Sequence, residues 1–124
     1  MFKIAIISGS FFALLSVVMG AFGAHLLKDT LTEYSKAIYD KAVLYQIFHS
    51  IGILIISTID YNLSEINLSI SIWFFIFGIL FFSGSLYLLA LTDIKVLGAV
   101  TPIGGLLFIL GWVLVIVKVV MVLP

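Results

Sequence analysis

Charged residues are absent from four long segments of the chain, and this is the main pattern in the sequence. The uncharged segments are residues 4–27, 42–59, 66–92 and 96–117. A helix needs about 20 mostly apolar residues to cross a bilayer, and three of the segments exceed that length. The second is shorter, but its helix is predicted to begin earlier, near Thr32, so that residues 32–41 form an interfacial first part. The pattern predicts four membrane-spanning helices.

The connections between these helices are short. The breaks fall at residues 28–30, 60–65 and 92–95, and the second contains the turn formers Asn62 and Ser64. Short connections make neighbouring helices pack antiparallel. The predicted fold class is all-α, a four-transmembrane-helix antiparallel membrane bundle with short loops. It forms a single membrane domain over residues 1–124, with spans near residues 4–27, 38–59, 67–91 and 98–121.

Two local features allow more than one interpretation. Thr101-Pro102 has the form of a helix N-cap followed by a first-turn proline, which predicts a regular helix from Pro102 and a less regular Gly98–Val100. A kink at Pro102 is the alternative. Near the N-terminus, Lys3 and the small-x-small pattern at 21–23 also fit a cleaved signal peptide. An uncharged run this long favours a retained helix, because the apolar part of a signal peptide has roughly 7–15 residues.

Composition supports a membrane environment and excludes several classes of function. The chain has 124 residues, of which 64% are hydrophobic and 10% are charged, whereas a soluble domain carries about 25% charged residues. All six basic residues are lysines and the formal net charge is zero, so no basic surface for nucleic acid is expected. The chain has no cysteine, which excludes disulfides and thiolate chemistry. The expected partners are the lipid bilayer and either a homo-oligomer or a larger membrane protein.

Small residues recur at helical spacing and predict close helix packing. On the first helix they alternate at intervals of four and three, which places them on one face. Small side chains let helices approach closely in lipid, where no hydrophobic force drives helices together. The predicted packing residues are Gly9, Ala13, Ser16, Gly20 and Gly23 on the first helix, Gly78 on the third, and Gly104 and Gly111 on the fourth. A ligand path lined by these residues is the alternative.

Polar residues within the spans form the candidate intramembrane site. His49 lies well inside the second span, and Tyr45 lies one turn before it on the same face. Polar groups at this depth normally face the interior of a bundle, so His49 is expected to form an interhelical hydrogen bond, with Tyr45, Gln46, Ser83 and Ser85 as its expected partners. The candidate residues are His49, Tyr45, Gln46, His25, Ser83 and Ser85. His25 lies near the end of the first span and is expected at the membrane interface.

Catalytic chemistry is not expected from these residues. No carboxylate lies in any of the four uncharged segments to complete a metal site with the two histidines. The serines lack the sequence context of a nucleophile elbow, and the glycine clusters lie in apolar spans rather than in phosphate-binding loops. We therefore expect no catalytic residues, no metal, no cofactor and no enzymatic activity. A proton relay or a substrate-binding role for His49 remains open.

Four motifs in order resemble a known family over the whole chain. They are Gly20-Ala21-Phe22-Gly23-Ala24-His25; Tyr45 with His49; Ser83-Gly84-Ser85-Leu86-Tyr87; and Thr101-Pro102-Ile103-Gly104-Gly105 with Gly111-Trp112. This pattern resembles the domain-of-unknown-function 423 family of small bacterial inner-membrane proteins, to which transmembrane protein 256 of eukaryotes is similar. The resemblance implies four spanning helices in a bacterial cytoplasmic (inner) membrane, and it implies no activity.

Three hypotheses for the function follow, and the third, an intramembrane enzyme, has the least support because the sequence contains no reactive pair of side chains. The first is a non-enzymatic interaction or accessory subunit, because the chain is too small to enclose a large pathway alone. The second is a small oligomeric transporter or channel that uses the Tyr45–His49 face. Topology follows from the lysines: Lys28, Lys36, Lys41 and Lys95 lie on one side, whereas Lys3 and Lys118 lie on the other. Since cytoplasmic loops collect positive charge, both termini are expected outside.

Overall fold

Four long α-helices and short connections make up the part of the chain that the structure describes. The computed structural model describes residues 1–63 and 65–122. The helices are α1 (Phe2–His25), α2 (Glu33–Asn62), α3 (Ser69–Thr92) and α4 (Thr101–Val122). Each is long and apolar enough to cross a membrane, and no strand occurs among these residues. The predicted all-α class is confirmed.

Side chains of Thr32 and Asp60 cap the N-terminal ends of α2 and α3. Thr32 caps the N-terminus, where its hydroxyl accepts the Ser35 N–H at 3.1 Å, and the predicted early start near Thr32 is confirmed. At the other end the predicted break at residues 60–65 begins too early, because α2 continues to Asn62. Asp60 stays helical while its carboxylate accepts the Leu68 N–H at 2.6 Å, which ties the start of α3 to the last turn of α2. Ser64 of this connection lies outside the described residues.

The connection between α3 and α4 is tightly wound. Asp93 caps α3 in the left-handed conformation (φ 54°) and donates its N–H to Leu89. A 3-10 helix over Lys95–Ala99 follows, and α4 begins at Thr101. The less regular stretch predicted before α4 is therefore confirmed. Pro102 lies in the first turn, where its missing N–H has no helical acceptor, so the alternative of a kink within the helix is wrong.

The helices pack in chain order, with α1 on α2, α2 on α3 and α3 on α4. The core contains two clusters: one is built around Phe12, Ile53 and Phe75, and the other around Tyr39 and Tyr87. The central helix α3 is the most buried of the four, whereas α1 and α4 expose most of their apolar surfaces. The outward surfaces of the two outer helices are therefore the main lipid-facing part of the fold.

Candidate functional site

The small-residue stripe of α1 faces α2. Gly9 and Ser16 are buried, and a Cβ on Gly9 would be 2.8 Å from the Leu54 side chain. At Gly23 a Cβ would be 2.6 Å from the ring of Tyr39. The Tyr39 hydroxyl donates to the backbone oxygen of Met19 at 2.8 Å. The absence of a side chain at Gly23 thus leaves room for a buried tyrosine that bonds to the backbone of α1. Ala13 lies on the same stripe and is half-buried.

Gly23 and Gly20 of the same stripe provide a test position and its control. A Gly23→Ala substitution is expected to lower the free energy of unfolding by about 1–2 kcal/mol, because the added methyl overlaps the Tyr39 ring, which is held by its bond to Met19. At Gly20 the added Cβ would lie 3.5 Å from Val43, an ordinary contact, so Gly20→Ala is the control and should cost little. Thermal unfolding in detergent compares the two; equal stability of both variants with the parent would contradict the role of Gly23.

The predicted packing residues of α3 and α4 lie at their common interface. Gly78, Gly104 and Gly111 are all buried. A Cβ on Gly78 would overlap the Phe108 ring, one on Gly111 would overlap Phe75, and one on Gly104 would overlap the backbone of Phe82. The first two glycines therefore accommodate aromatic rings, and the third lets two helix backbones approach directly.

Gln46 connects three helices in the core. Its side chain is 1% exposed, donates through Nε2 to the Phe12 backbone oxygen at 2.9 Å, and accepts the Tyr87 hydroxyl at Oε1 at 2.8 Å. The Tyr87 ring also packs edge-on against Tyr39, with centroids 5.0 Å apart. The Gln46 amide therefore uses one donor and one acceptor to connect α1, α2 and α3.

The two candidate serines form separate interhelical bonds. Ser83 is fully buried and donates to the Ala42 backbone oxygen of α2 at 2.8 Å. Ser85 shares a hydrogen bond of 2.8 Å with the Thr101 hydroxyl at the start of α4, and it also donates to its own helix. Both hydroxyls therefore connect α3 to its neighbours, and neither one reaches His49.

His49 is enclosed by aromatic rings and is 4% exposed. Its ring stacks on Phe108 with centroids 3.5 Å apart and planes at 8°, and the edge of Phe75 packs against it at 5.3 Å. Nδ1 lies 2.8 Å from the Tyr45 backbone oxygen, and Nε2 lies 3.2 Å from the indole nitrogen of Trp112. A carbonyl only accepts and an indole N–H only donates, so the ring is neutral with its proton on Nδ1.

The interhelical hydrogen-bond partner predicted for His49 is wrong. The bond is interhelical, as expected, but it joins α2 to Trp112 of α4 rather than to Ser83 or Ser85 of α3. The Gln46 amide points to the opposite side, toward α1 and α3, and Tyr45 contributes its backbone oxygen rather than its hydroxyl. The reason is geometric: Phe75 and Phe108 fill the space beside the imidazole ring, and only the indole of Trp112 reaches Nε2.

A groove runs between α2 and α4 beside His49. It has a volume of about 540 Å³. Residues from three helices line it, namely Leu44, Tyr45, Phe48 and His49 of α2, Phe82 of α3, and Gly105, Phe108, Ile109 and Trp112 of α4. Tyr45 is 39% exposed, and its ring stacks on Phe82 with centroids 4.5 Å apart. We call this recess the α2–α4 groove.

The predicted candidates do not form one site. Gln46 and Ser83 belong to the packed core, Tyr45 and His49 border the α2–α4 groove, and Ser85 of α3 bonds to Thr101 at the start of α4. His25 is exposed at the end of α1 and joins none of them. Within residues 1–63 and 65–122, no three histidine, aspartate or glutamate side chains come together as a metal-ligand set.

The polar pairs depend on aromatic residues that were not among the candidates. Trp112 donates to His49, Tyr87 donates to Gln46, and Tyr39 donates to Met19. Buried tyrosine and tryptophan side chains usually pair their polar group. Their presence within apolar spans could therefore have identified them as hydrogen-bond donors. The partner of each could not be read from the sequence, because it depends on how the helices are rotated.

The bond between His49 and Trp112 has a measurable energy. Trp112→Phe keeps most of the ring volume and removes the donor, and we expect a loss of about 0.6–1.7 kcal/mol, the range for interhelical hydrogen bonds in membranes. Because the bond joins the two side chains, Trp112→Phe should cost less in a His49→Leu background than in the parent. Unfolding in mixed micelles measures the cycle, and full additivity of the two substitutions would show that the bond does not form.

Known proteins have sequences similar to that of this chain. Residues 19–105 match the family described as "Protein of unknown function (DUF423)". A "UPF0382 membrane protein" of Staphylococcus epidermidis is 49% identical over 115 residues, which cover 93% of each chain. The "UPF0382 membrane protein YwdK" of Bacillus subtilis is 39% identical over 116 residues, covering 93% of this chain and 94% of its own. No solved structure matches significantly. The family match, together with 49% and 39% identity to these relatives over 93% of this chain, shows that the chain is a membrane protein of the DUF423 family.

Proposed function

We propose that this membrane protein acts as a non-enzymatic interaction or accessory subunit in the bacterial cytoplasmic membrane. One observation carries the proposal: every buried side-chain nitrogen or oxygen within residues 1–63 and 65–122 has a hydrogen-bond partner. A catalytic or transporting site needs polar groups that are available to a substrate. Here the buried polar groups pair with each other and with backbone oxygens, so they stabilise helix packing.

The order of the helices supports the same role. The small-residue stripes are occupied by contacts within the chain, so a partner would contact the outer aliphatic surfaces instead. Those surfaces belong to α1 and α4, where side chains such as Leu14, Val17 and Val120 are exposed. A row of helices with two accessible sides suits association with a larger membrane protein.

Copurification tests the proposal. The tagged full-length chain is extracted in a mild detergent, after crosslinking in intact membranes, and its mass and composition are measured. A larger membrane protein in constant stoichiometry would support an accessory role. A test variant carries Leu14→Trp and Val17→Trp, which change the shape of the outer face of α1 without placing charge in lipid, and it should lose the partner if that face is used. Recovery of the crosslinked chain as a bare monomer would refute the proposal.

The α2–α4 groove favours a second candidate function, that of a small oligomeric transporter or channel. The observation that favours it is the placement of the Tyr45 and His49 side chains along one groove within the span. Such a protein should purify as a homo-oligomer and carry protons into vesicles loaded with a pH-sensitive dye. His49→Gln and His49→Leu should then abolish the flux alike, whereas a structural role predicts that the Gln variant keeps the fold and any activity.

Topology is a separate prediction. Both termini are expected outside the cytoplasm, because the side with Lys28, Lys36, Lys41 and Lys95 has more lysines than the side with Lys3 and Lys118. A C-terminal fusion to a protein that fluoresces only in the cytoplasm should therefore be dark, and an alkaline phosphatase fusion at the same position should be active. The reverse pair of results would place the termini inside.

A further inference from the structure

The α2–α4 groove is apolar along most of its length. Phe82 and Phe108 line its inner wall, and Ile109 and Leu44 line its sides. The nitrogen atoms of His49 and Trp112 are already bonded to each other, so they offer little polarity to an occupant. Its volume of about 540 Å³ lies within the range of about 300–1,000 Å³ that is typical of ligand sites. A groove of this kind, open within the membrane, fits a hydrocarbon chain.

One end of the groove is polar. Tyr45 is half-exposed at this end, and Lys41 lies one turn before it on the same face of α2. At 1.5 Å per residue the two positions are about 6 Å apart along the helix. Lys41 is also the last charged residue before the uncharged part of α2. The groove therefore starts at the membrane surface below an exposed ammonium group and continues into the apolar interior.

Lys41 differs from the other lysine of α2 in its neighbours. Lys36 has Glu33 three residues before it and Asp40 four residues after it, both at the spacing that pairs charges on a helix. The corresponding neighbours of Lys41 are Ala37, Ile38, Leu44 and Tyr45, none of which is acidic. Asp40 is rotated by about 100° around the helix from Lys41, away from the groove. The Lys41 ammonium is thus available to an anion at the groove entrance.

A second recess lies at the membrane surface on the same face of α2. It has a volume of about 550 Å³ and is lined by Tyr34, Leu89, Asp93, Lys95 and Gly98. Tyr34 precedes Lys41 by seven residues, which is two helical turns. Unlike the α2–α4 groove, this recess contains charged groups of both signs. Along α2, the polar surface recess is therefore followed first by Lys41 and then by the apolar α2–α4 groove.

We propose that the α2–α4 groove binds one acyl chain of an anionic phospholipid, with the lipid phosphate paired to Lys41. The chain packs on Phe82 and Phe108 toward Trp112, and the Tyr45 hydroxyl lies level with the ester region. The headgroup extends into the surface recess toward Lys95. Charge complementarity selects the anionic lipid, because a cationic side chain near the bilayer surface attracts anionic headgroups. This site does not depend on the proposed partner protein.

Tryptophan quenching by brominated lipid tests the site directly. Bromine on an acyl chain quenches only tryptophans in contact with it, and the chain has two, Trp73 and Trp112. The Trp73→Phe protein reports from the groove, and the Trp112→Phe protein reports from Trp73, which stacks on Phe77 of α3. Each is reconstituted in phosphatidylcholine vesicles with increasing brominated phosphatidylglycerol. Trp112 should be quenched at a lower fraction of brominated lipid than Trp73, and brominated phosphatidylcholine should show no such preference.

Two substitutions and a control identify the contacts. In the Trp73→Phe background, Lys41→Gln should weaken the preference for phosphatidylglycerol about fivefold, the effect of one lysine near the surface. Lys36→Gln is the matched control and should leave it unchanged. Gly105→Leu places a side chain in the groove, where its Cβ would be 3.7 Å from the Phe82 ring, and should reduce Trp112 quenching by both lipids. Equal quenching of Trp112 by both lipids, or no effect of Lys41→Gln, would overturn the proposal.

Discussion

Replacing Gly104 with alanine is expected to lower the free energy of unfolding by about 3 kcal/mol, at the upper end of the range for overpacked cores. The added Cβ would be 2.7 Å from the Cα of Phe82 and closer still to its backbone nitrogen. A side chain can rotate away from such an overlap, but the backbone of a packed helix cannot. Helices α3 and α4 would therefore have to separate along their common interface. Equilibrium unfolding in mixed micelles measures the loss.

The neighbouring glycine provides the control for this prediction. A Cβ on Gly105 would be 3.7 Å from the nearest atoms of the Phe82 ring, which is an ordinary contact. Alanine also has a helix propensity about 1 kcal/mol more favourable than that of glycine. Gly105→Ala should therefore leave the stability unchanged or raise it slightly. A similar loss for both variants would mean that α4 does not approach α3 through Gly104.

Replacing Gln46 with leucine is expected to cost about 2–3 kcal/mol, from two lost hydrogen bonds and one hydroxyl left buried without a partner. The amide donates to Phe12 at 2.9 Å and accepts from Tyr87 at 2.8 Å. Leucine has a similar size and is apolar, so packing alone would predict little change. Helix α1 should loosen most, because its bond to the Gln46 side chain is lost. Unfolding in mixed micelles and proteolysis of α1 would both report the effect.

A double substitution separates hydrogen bonding from packing at Gln46. Tyr87→Phe removes the hydroxyl that donates to Gln46, and alone it should cost about 1 kcal/mol. In the Gln46→Leu background the same substitution should cost nothing or restore some stability, because the hydroxyl no longer has an acceptor there. The coupling between the two positions should reach about 1 kcal/mol. Additive losses would place the effect of Gln46→Leu in packing rather than in the bond.

The sequence was informative wherever a one-dimensional property decides the structure. The length of the uncharged runs predicted the helices, Thr32 predicted the start of α2, and Thr101-Pro102 predicted the start of α4. The spacing of Gly9, Gly20 and Gly23 predicted one face, and the structure places that face against α2. The connection after α2 was placed too early, because the Asp60 carboxylate caps α3 from within the last turn of α2.

The sequence did not determine which polar side chains form hydrogen bonds with each other within the membrane. Tyr45, Gln46 and His49 lie within four residues of one another, yet Gln46 bonds to α1 and α3 while His49 bonds to α4. Their separation depends on a rotation of about 100° per residue around the helix and on which helix lies at each angle.

The sequence by itself determined that this protein is a set of apolar helices in a membrane, since charge cannot be left in lipid and the uncharged runs match the bilayer thickness. Only the tertiary structure decided how the helices are arranged. It placed α1 and α4 at opposite ends of a row, paired His49 with Trp112, and left a groove between α2 and α4. The physical reason is that lipid solvates every apolar helix face almost equally. Helix order therefore depends on close packing at glycines such as Gly104 and on hydrogen bonds such as those of Gln46, which form only once the partners meet.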